Sequence, residues 1–334
     1  MTPEAVAPLV TIDAIRAAAE RLRGITIRTP LLAFGPPEGR RFLKAESLQP
    51  IGAFKLRGAY VAVASLSPEE LARGVITYSS GNHAQGVARA ARLLGATAVV
   101  VMPSDAPDVK RERVAADGAE IVTVGTASDE RQRVAEEIAA RRGLAIIPPF
   151  DDDRIIAGQG TVGLEIAEDL PDLAVVLVPI GGGGLASGVA TAIAALRPGV
   201  RVIGVEPELA ADARESLERG EIVAWPADLV SRTIADGTRT QALGARTFAH
   251  LRAHLDSIVT VSEAEIAAGV RLAAERGRLV VEPSGALGIA AMSFHAGELG
   301  LDRDDGSVVA VVSGGNVDPA RYNTFLEAPI PPEG

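Results

Sequence analysis

No cysteine occurs in the 334 residues, which excludes disulfides, thiolate zinc sites and a cysteine nucleophile. Aromatic residues make up only 3% of the chain and leave few platforms for stacking on bases. Lysine is nearly absent: it occurs only at Lys44, Lys55 and Lys110, and arginine supplies the rest of the positive charge. An amine nucleophile must therefore be one of these three residues or the N-terminus. The formal net charge of −10 repels phosphate backbones and argues against a nucleic-acid partner. No apolar stretch reaches the length that spans a bilayer; the run Leu173–Ile180 contains Pro179 and ends in four glycines. Met1-Thr2-Pro3-Glu4 lacks the basic start and apolar core of a secretory signal. These absences, that of cysteine included, predict a cytoplasmic protein with no membrane partner.

What is present is a chain that is 47% hydrophobic, enough for a well-buried core. Short apolar runs alternate with longer amphipathic segments. Gly74–Tyr78, Thr97–Met102, Glu120–Val124, Ala174–Pro179, Val200–Val205 and Ser307–Val312 read as buried strands. Thr11–Arg23, His83–Leu94, Asp108–Asp117, Ser128–Arg142, Arg154–Glu168, Leu185–Leu196, Glu263–Arg276 and Gly285–Ala296 read as helices. Thr11 is placed to cap the first, and Gly24, Gly95, Gly118 and Gly143 follow helices as stops. Strand–helix alternation on this scale predicts an α/β fold of mainly parallel sheets with helices on both faces. Asp151-Asp152-Asp153, after Pro148-Pro149, is a candidate crossing between domains.

Four turns carry candidate chemistry. Gly181–Gly184 stands between a strand and a helix; glycine lets backbone approach an anion closely, and the free N–H groups of a helix start attract phosphate. No Lys-Ser/Thr follows as in a P-loop, so the run alone does not say whose phosphate. Lys55 sits among apolar residues in Gly52-Ala53-Phe54-Lys55-Leu56-Arg57-Gly58, where desolvation would favour the nucleophilic free amine. On local sequence alone a lysine snorkelling from an amphipathic helix is the stronger reading. Lys44 and Lys110 read as solvated. Ser79-Ser80-Gly81-Asn82-His83 joins a strand to a helix with more polar groups than a cap needs, which suits a carboxylate and equally an ordinary N-cap. Ser313-Gly314-Gly315-Asn316 follows a buried strand, where ligands of α/β sheets sit and where plain turns sit too. Glu206 and Asp212 could hold a hard cation, although surface carboxylates are the more economical reading.

Taken in order, Glu46–Gly58, Ser79–Gly86, Ala157–Thr161, Gly181–Gly184, Thr233–Gly237, Val281–Ala286 and Ser313–Asn316 resemble the motifs of the fold-type-II pyridoxal-phosphate enzymes. The branch they resemble is that of threonine dehydratase (threonine ammonia-lyase) and serine racemase. The resemblance spans roughly Thr11 to Pro319. It implies two domains like those of the tryptophan synthase β chain, a large one from 1–61 and 150–334 and a smaller mobile one from 62–149. It implies that Lys55 carries the cofactor, Phe54 packs on its ring, Asn82 meets the ring hydroxyl, Gly181, Gly182, Gly183 and Gly184 hold the phosphate, and Ser313 faces the pyridine nitrogen. Gly237 and Glu282 complete the cofactor set. Ser79, Ser80, Asn82, His83 and Arg131 fall on substrate positions, with Ser80 as a second acid/base. Glu206, Ala210 and Asp212 match a site for magnesium or another divalent cation. Ile51 and Ala53 depart from the Thr and Ser that many relatives carry. The implied activity is elimination from L-threonine or L-serine by a homodimer. Serine racemisation, dehydration of 3-hydroxyaspartate, a nucleotide-binding oxidoreductase built on Gly181–Gly184, and a silent amino-acid sensor are the alternatives.

Overall fold

The computed structural model describes residues 8–36, 40–79, 81–104, 106, 108–125, 128–301 and 306–332. The described strands are β1 (Leu31–Ala33), β2 (Arg41–Ala45), β3 (Val75–Tyr78), β4 (Ala98–Pro103), β5 (Glu120–Val124), β6 (Ala145–Ile146), β7 (Leu173–Pro179), β8 (Arg201–Pro207), β9 (Ser257–Val261) and β10 (Ser307–Val312). They form two sheets, one in the order β1-β2-β10-β7-β8-β9 and one in the order β5-β4-β3-β6. Every neighbouring pair is parallel except the edge pair β1–β2.

A parallel strand covered on both faces must be apolar at every position. β10 shows this directly. Val308, Ala310 and Val312 pack into one core with Ile289 and Met292 of the Pro283–Phe294 helix. Val309 and Val311, pointing the other way, pack with Val189 and Ile193 of the Gly184–Leu196 helix. The Pro283–Phe294 helix is buried at every residue, which is why its sequence has no polar stripe. The smaller sheet repeats the scheme: Val75 faces the Lys55–Ala64 helix, while Ile76 faces the Ser128–Arg142 helix.

Helix starts and stops follow local chemistry. Thr11 accepts from Ala14 N–H, Ser262 and Glu265 form a reciprocal capping box, and Asp152 caps the Asp153–Asp169 helix. Gly95, Gly118 and Gly143 all take positive φ after their helices. The segment read as one helix, Glu263–Arg276, is α-helical only to Leu272. Ala273–Gly277 then widens into a π turn closed by Arg278 N–H on Ala273 O, and Leu279 N–H reaches the same oxygen as the chain reverses through Arg278 at φ 55°.

The helix that begins at Lys55 lies between the two sheets. A Cβ on Gly158 would fall 2.6 Å from Gly58 Cα, so the Lys55–Ala64 and Asp153–Asp169 helices touch backbone to backbone. Beneath it lies a buried charge cluster. Arg57 donates to both oxygens of Glu46 and to Glu165, and Lys44 donates to Glu165 at 2.6 Å and to Thr29 O at 2.7 Å. Burial pushes the Glu46 carboxyl up, but the Arg57 charge outweighs it and holds the group below its ordinary value. Lys44, expected in solvent, is therefore fully buried: its strand points it at a carboxylate 121 residues away in sequence.

Candidate active site

β2, β10 and β7 are adjacent and parallel, so their carboxyl ends lie along one edge, where α/β sheets bind ligands. β2 leads into the lysine loop, β10 into Ser313–Asn316, and β7 into Gly181–Gly184. The lysine loop is stitched to the end of β10. Phe54 N–H donates to Ser313 O (3.0 Å), Gly315 N–H donates to Gly52 O (2.9 Å), and Ala53 bridges Gly314.

Lys55 is half-buried and its Nζ donates to Pro149 O at 2.7 Å, 5.3 Å from the centre of the Phe54 ring. The acceptor is a neutral carbonyl. Burial therefore disfavours the ammonium, and the pKa falls to about 8. The next residue, Phe150, covers the glycine run. A Cβ on Gly182 would fall 2.2–2.4 Å from three atoms of the Phe150 ring, so only glycine fits. Gly183 takes the left-handed φ of 90° and starts the Gly184–Leu196 helix, which has no side-chain cap. The result is a concave run of backbone with uncapped helix N–H groups, an anion cradle.

The remaining contacts close a ring around the site. A Cβ on Gly181 would fall 3.1 Å from Thr238 Cα; Gly237 N–H donates to Ser284 Oγ (2.8 Å); Ser313 Oγ lies 3.4 Å from Ser284 O. From Ser313 the ring returns to Phe54 and Lys55. The smaller sheet contributes Asn82, whose Nδ2 donates to Glu282 Oε1 (2.6 Å) and whose Oδ1 accepts from Asn316 Nδ2 (2.7 Å). Burial, with the Asp236 charge adding to it, raises the Glu282 pKa to about 8. His83 Nε2–H donates to Ile147 O (3.1 Å). Burial, with the Lys55 charge nearby, lowers its pKa to about 3, so the ring is neutral. Its Nδ1 is buried with no partner among the described residues, an acceptor left open in the site.

Ser79 accepts from Gly81 N–H at 3.3 Å. Ser80 lies outside the described residues. Arg131 sits partly buried in the Ser128–Arg142 helix. Lys110, expected in solvent, is 14% exposed and pairs with Asp236 at 2.6 Å. The sequence reading also missed Pro149 and Phe150 as site residues and took that stretch for a crossing; two successive prolines, which offer carbonyls but no N–H, were the available signal.

Glu206 and Asp212 lie apart from this ring, at the end of β8. Glu206 accepts from Ala213 N–H (3.1 Å) and Arg214 N–H (2.8 Å), and Ala210 is buried. Asp212 Oδ2 is buried without a partner among the described residues. No group of three or more His, Cys, Asp or Glu side chains that could hold a metal occurs among the described residues.

A phosphate ester bearing an aldehyde fits the main site. The cradle supplies N–H groups and no side chain to fill it, Lys55 supplies an amine poised to lose its proton, and Ser313 supplies a neutral hydroxyl at the far strand end. Comparison with known proteins agrees. Residues 22–314 match the family described as pyridoxal-phosphate dependent enzymes. The chain is 42% identical to the L-threo-3-hydroxyaspartate ammonia-lyase of Saccharomyces cerevisiae, over 92% of this chain and 94% of the relative. It is also 42% identical to the L-threonine ammonia-lyase of Thermotoga maritima, over 93% of this chain and 76% of the relative. Its fold superposes on maize serine racemase with a TM-score of 0.90 at 36% identity, covering 96% of this chain and 98% of that one. The chain belongs to the pyridoxal-phosphate dependent enzymes, with their fold-type-II architecture of two parallel sheets flanked by helices.

Proposed function

We propose that the protein is an ammonia-lyase that converts L-threonine, L-serine or both to a 2-oxo acid and ammonia. The observation that carries this reading is the half-buried Lys55 amine on the Pro149 carbonyl, with Phe150, next after Pro149, packed on Gly182, and Phe54, next before Lys55, bonded through its N–H to Ser313 O. Pyridoxal phosphate, when bound, supplies an aldehyde that captures amines and a ring that draws electrons from the substrate α-carbon. Lys55 would hold the cofactor, and its amine, placed beside the substrate α-carbon, would take the α-proton. The amides of Gly181–Gly184 hold the phosphate and Phe54 lines the ring. Ser79, through its hydroxyl, and Asn82 and His83, through their N–H groups at the helix start, would orient the substrate carboxylate, with Ser80 assigned to the same loop and Arg131, on the Ser128–Arg142 helix, to its closure. Ser313 would offer the ring nitrogen a neutral hydroxyl rather than a carboxylate, so the cofactor would be a weaker electron sink, which suits loss of a β-hydroxyl. Water leaves from the β-carbon, and water returns as the imine formed afterwards hydrolyses, so the net release is ammonia.

The relatives named for 3-hydroxyaspartate and for serine racemisation are as similar as the threonine enzymes, which supports a second reading on the same scaffold. In that reading Ser80 acts as the acid on the face opposite Lys55. The same proposal takes 62–149 as a smaller domain that moves against 1–61 and 150–334, in a cytoplasmic homodimer. Among the described residues no helix is long and apolar enough to cross a membrane. It also places a divalent cation, magnesium for one, on Glu206, Asp212 and the Ala210 carbonyl, because burial raises both carboxyls and leaves one oxygen unpaired. The test is 2-oxo acid release from L-threonine, L-serine, D-serine and 3-hydroxyaspartate, with and without magnesium. Release from L-threonine or L-serine is expected; turnover of 3-hydroxyaspartate alone, or racemisation without release, refutes the first reading.

A further inference from the structure

We propose that Lys110 and Asp236 form a reversible ionic latch that draws the smaller sheet, with its Ser79–His83 loop, onto the cofactor site. The proposal rests on the reading that this loop takes the substrate carboxylate. Lys110 belongs to the Asp108–Ala116 helix of the smaller sheet and Asp236 to the Asp236–Thr238 turn of the larger one, 126 residues apart in sequence. On one side, Lys110 Nζ lies 3.9 Å from where a Cβ of Gly81 would stand, so the amine sits against the loop. On the other side, the Asp236–Thr238 turn abuts Gly181 of the cradle and bonds Ser284 through Gly237. Closing the pair therefore brings loop and cradle to opposite sides of one cleft. Around it, Asn82 meets Glu282 and Asn316, and Arg113 meets Asn316, in the same crossing.

Two features favour a latch over a permanent strut. The partners keep 14% and 29% side-chain exposure, a setting in which an ion pair is weak and salt-sensitive, unlike the buried Arg57–Glu46 pair. The chain also spends one of its three lysines here, although it uses arginine almost everywhere else. The other two are Lys55, the cofactor lysine, and Lys44, which is sealed in the core. An ammonium is a compact point charge on a flexible stem and releases a carboxylate more readily than the two-pronged guanidinium does. Lys110 and Asp236 are positioning residues in this account and do not touch the reacting atoms.

The test uses the holoenzyme and the variants Lys110→Gln, Asp236→Asn and both together, with Lys110→Arg as the charge-preserving control. Each uncharged single variant is expected to lower kcat/KM roughly 3- to 10-fold, mostly through KM, whereas Lys110→Arg, which keeps the charge and grips the carboxylate harder, is expected to hold KM at or below the wild-type value. The double variant is expected to fall no further than either single one, since only one interaction is lost. Amide exchange supplies a readout independent of turnover. 2-Methylserine, which has no α-hydrogen to lose, is expected to slow exchange in the segment 79–85 of the wild type and much less in the three uncharged variants. If Asp236→Asn leaves kcat/KM unchanged while Lys110→Gln lowers it, or if the two effects multiply in the double variant, Lys110 acts on the substrate itself and the latch is refuted. Equal protection by 2-methylserine in all proteins also refutes it. If the wild type turns over no hydroxy amino acid, the proposed activity fails, and the exchange arm still decides the latch.

Discussion

Asp212→Asn should stabilise the metal-free protein above neutral pH. Burial pushes the Asp212 carboxyl from 3.8 to about 7, and Glu206 beside it is raised by burial and by the Asp212 charge. A carboxyl whose folded pKa is raised binds its proton more tightly in the folded state. Its contribution to stability is therefore full below about pH 4, declines as pH rises towards 7, and is lost above that. About three pKa units at ~1.4 kcal/mol each set a ceiling of roughly 4 kcal/mol. Relaxation and water entry reduce such penalties, so about 2 kcal/mol is expected, or about 3 °C in Tm for a chain of this size. The amide of Asn removes the charge and keeps the shape. Melting curves in EDTA should place the variant about 3 °C above wild type near pH 8 and level with it near pH 4. Magnesium should raise the wild-type Tm near pH 8 and leave the variant unmoved, because the unpaired Asp212 oxygen is what the cation would use. A variant that melts below wild type near pH 8 in EDTA, or a wild type indifferent to every divalent cation, would refute the reasoning.

Other perturbations have equally definite outcomes. Gly182→Ala forces a methyl into the Phe150 ring, so it should cost ~1–3 kcal/mol in apoenzyme melts and weaken cofactor binding in titrations followed by absorbance. Because burial lowers the Lys55 pKa to about 8, capture of the cofactor by apoenzyme should speed up as pH rises through 8 and level off above it; a rise continuing to pH 10 would show an ordinary solvated lysine. Glu46→Gln strips Arg57 of its fully buried counter-charge, with Glu165 remaining, and should cost on the order of 3 kcal/mol in denaturant melts.

What the sequence made legible follows from the range of the forces involved. Glu120–Val124, Ser128–Arg142 and Ser307–Val312 match the bounds read from the sequence: burial on both faces keeps Ser307–Val312 apolar, while Glu120–Val124, a partly exposed edge strand, and the charged Ser128–Arg142 helix are marked by the glycine turns that frame them. The glycine run was legible because strand, glycines and helix are contiguous. The edge strand β1 and the two-residue β6 carry too little apolar length to stand out, and β9, no shorter than Glu120–Val124, lacks the glycine turns that frame that strand. Lys44 and Lys110 were misread because each finds its carboxylate more than 120 residues away, and nothing local marks such a partner. Phe150 owes its place in the site to Gly182, 32 positions further on, a contact that only the packed strands create.

The most direct test of the central claim exploits the scarcity of lysine. Borohydride treatment of the holoenzyme fixes the cofactor to whichever amine carries it, and peptide mapping then has only Lys44, Lys55, Lys110 and the N-terminus to choose among. The structure predicts the label on Lys55, with the visible band lost in Lys55→Ala. A label on Lys110 or Lys44, or a Lys55→Ala protein that keeps both band and turnover, would contradict it.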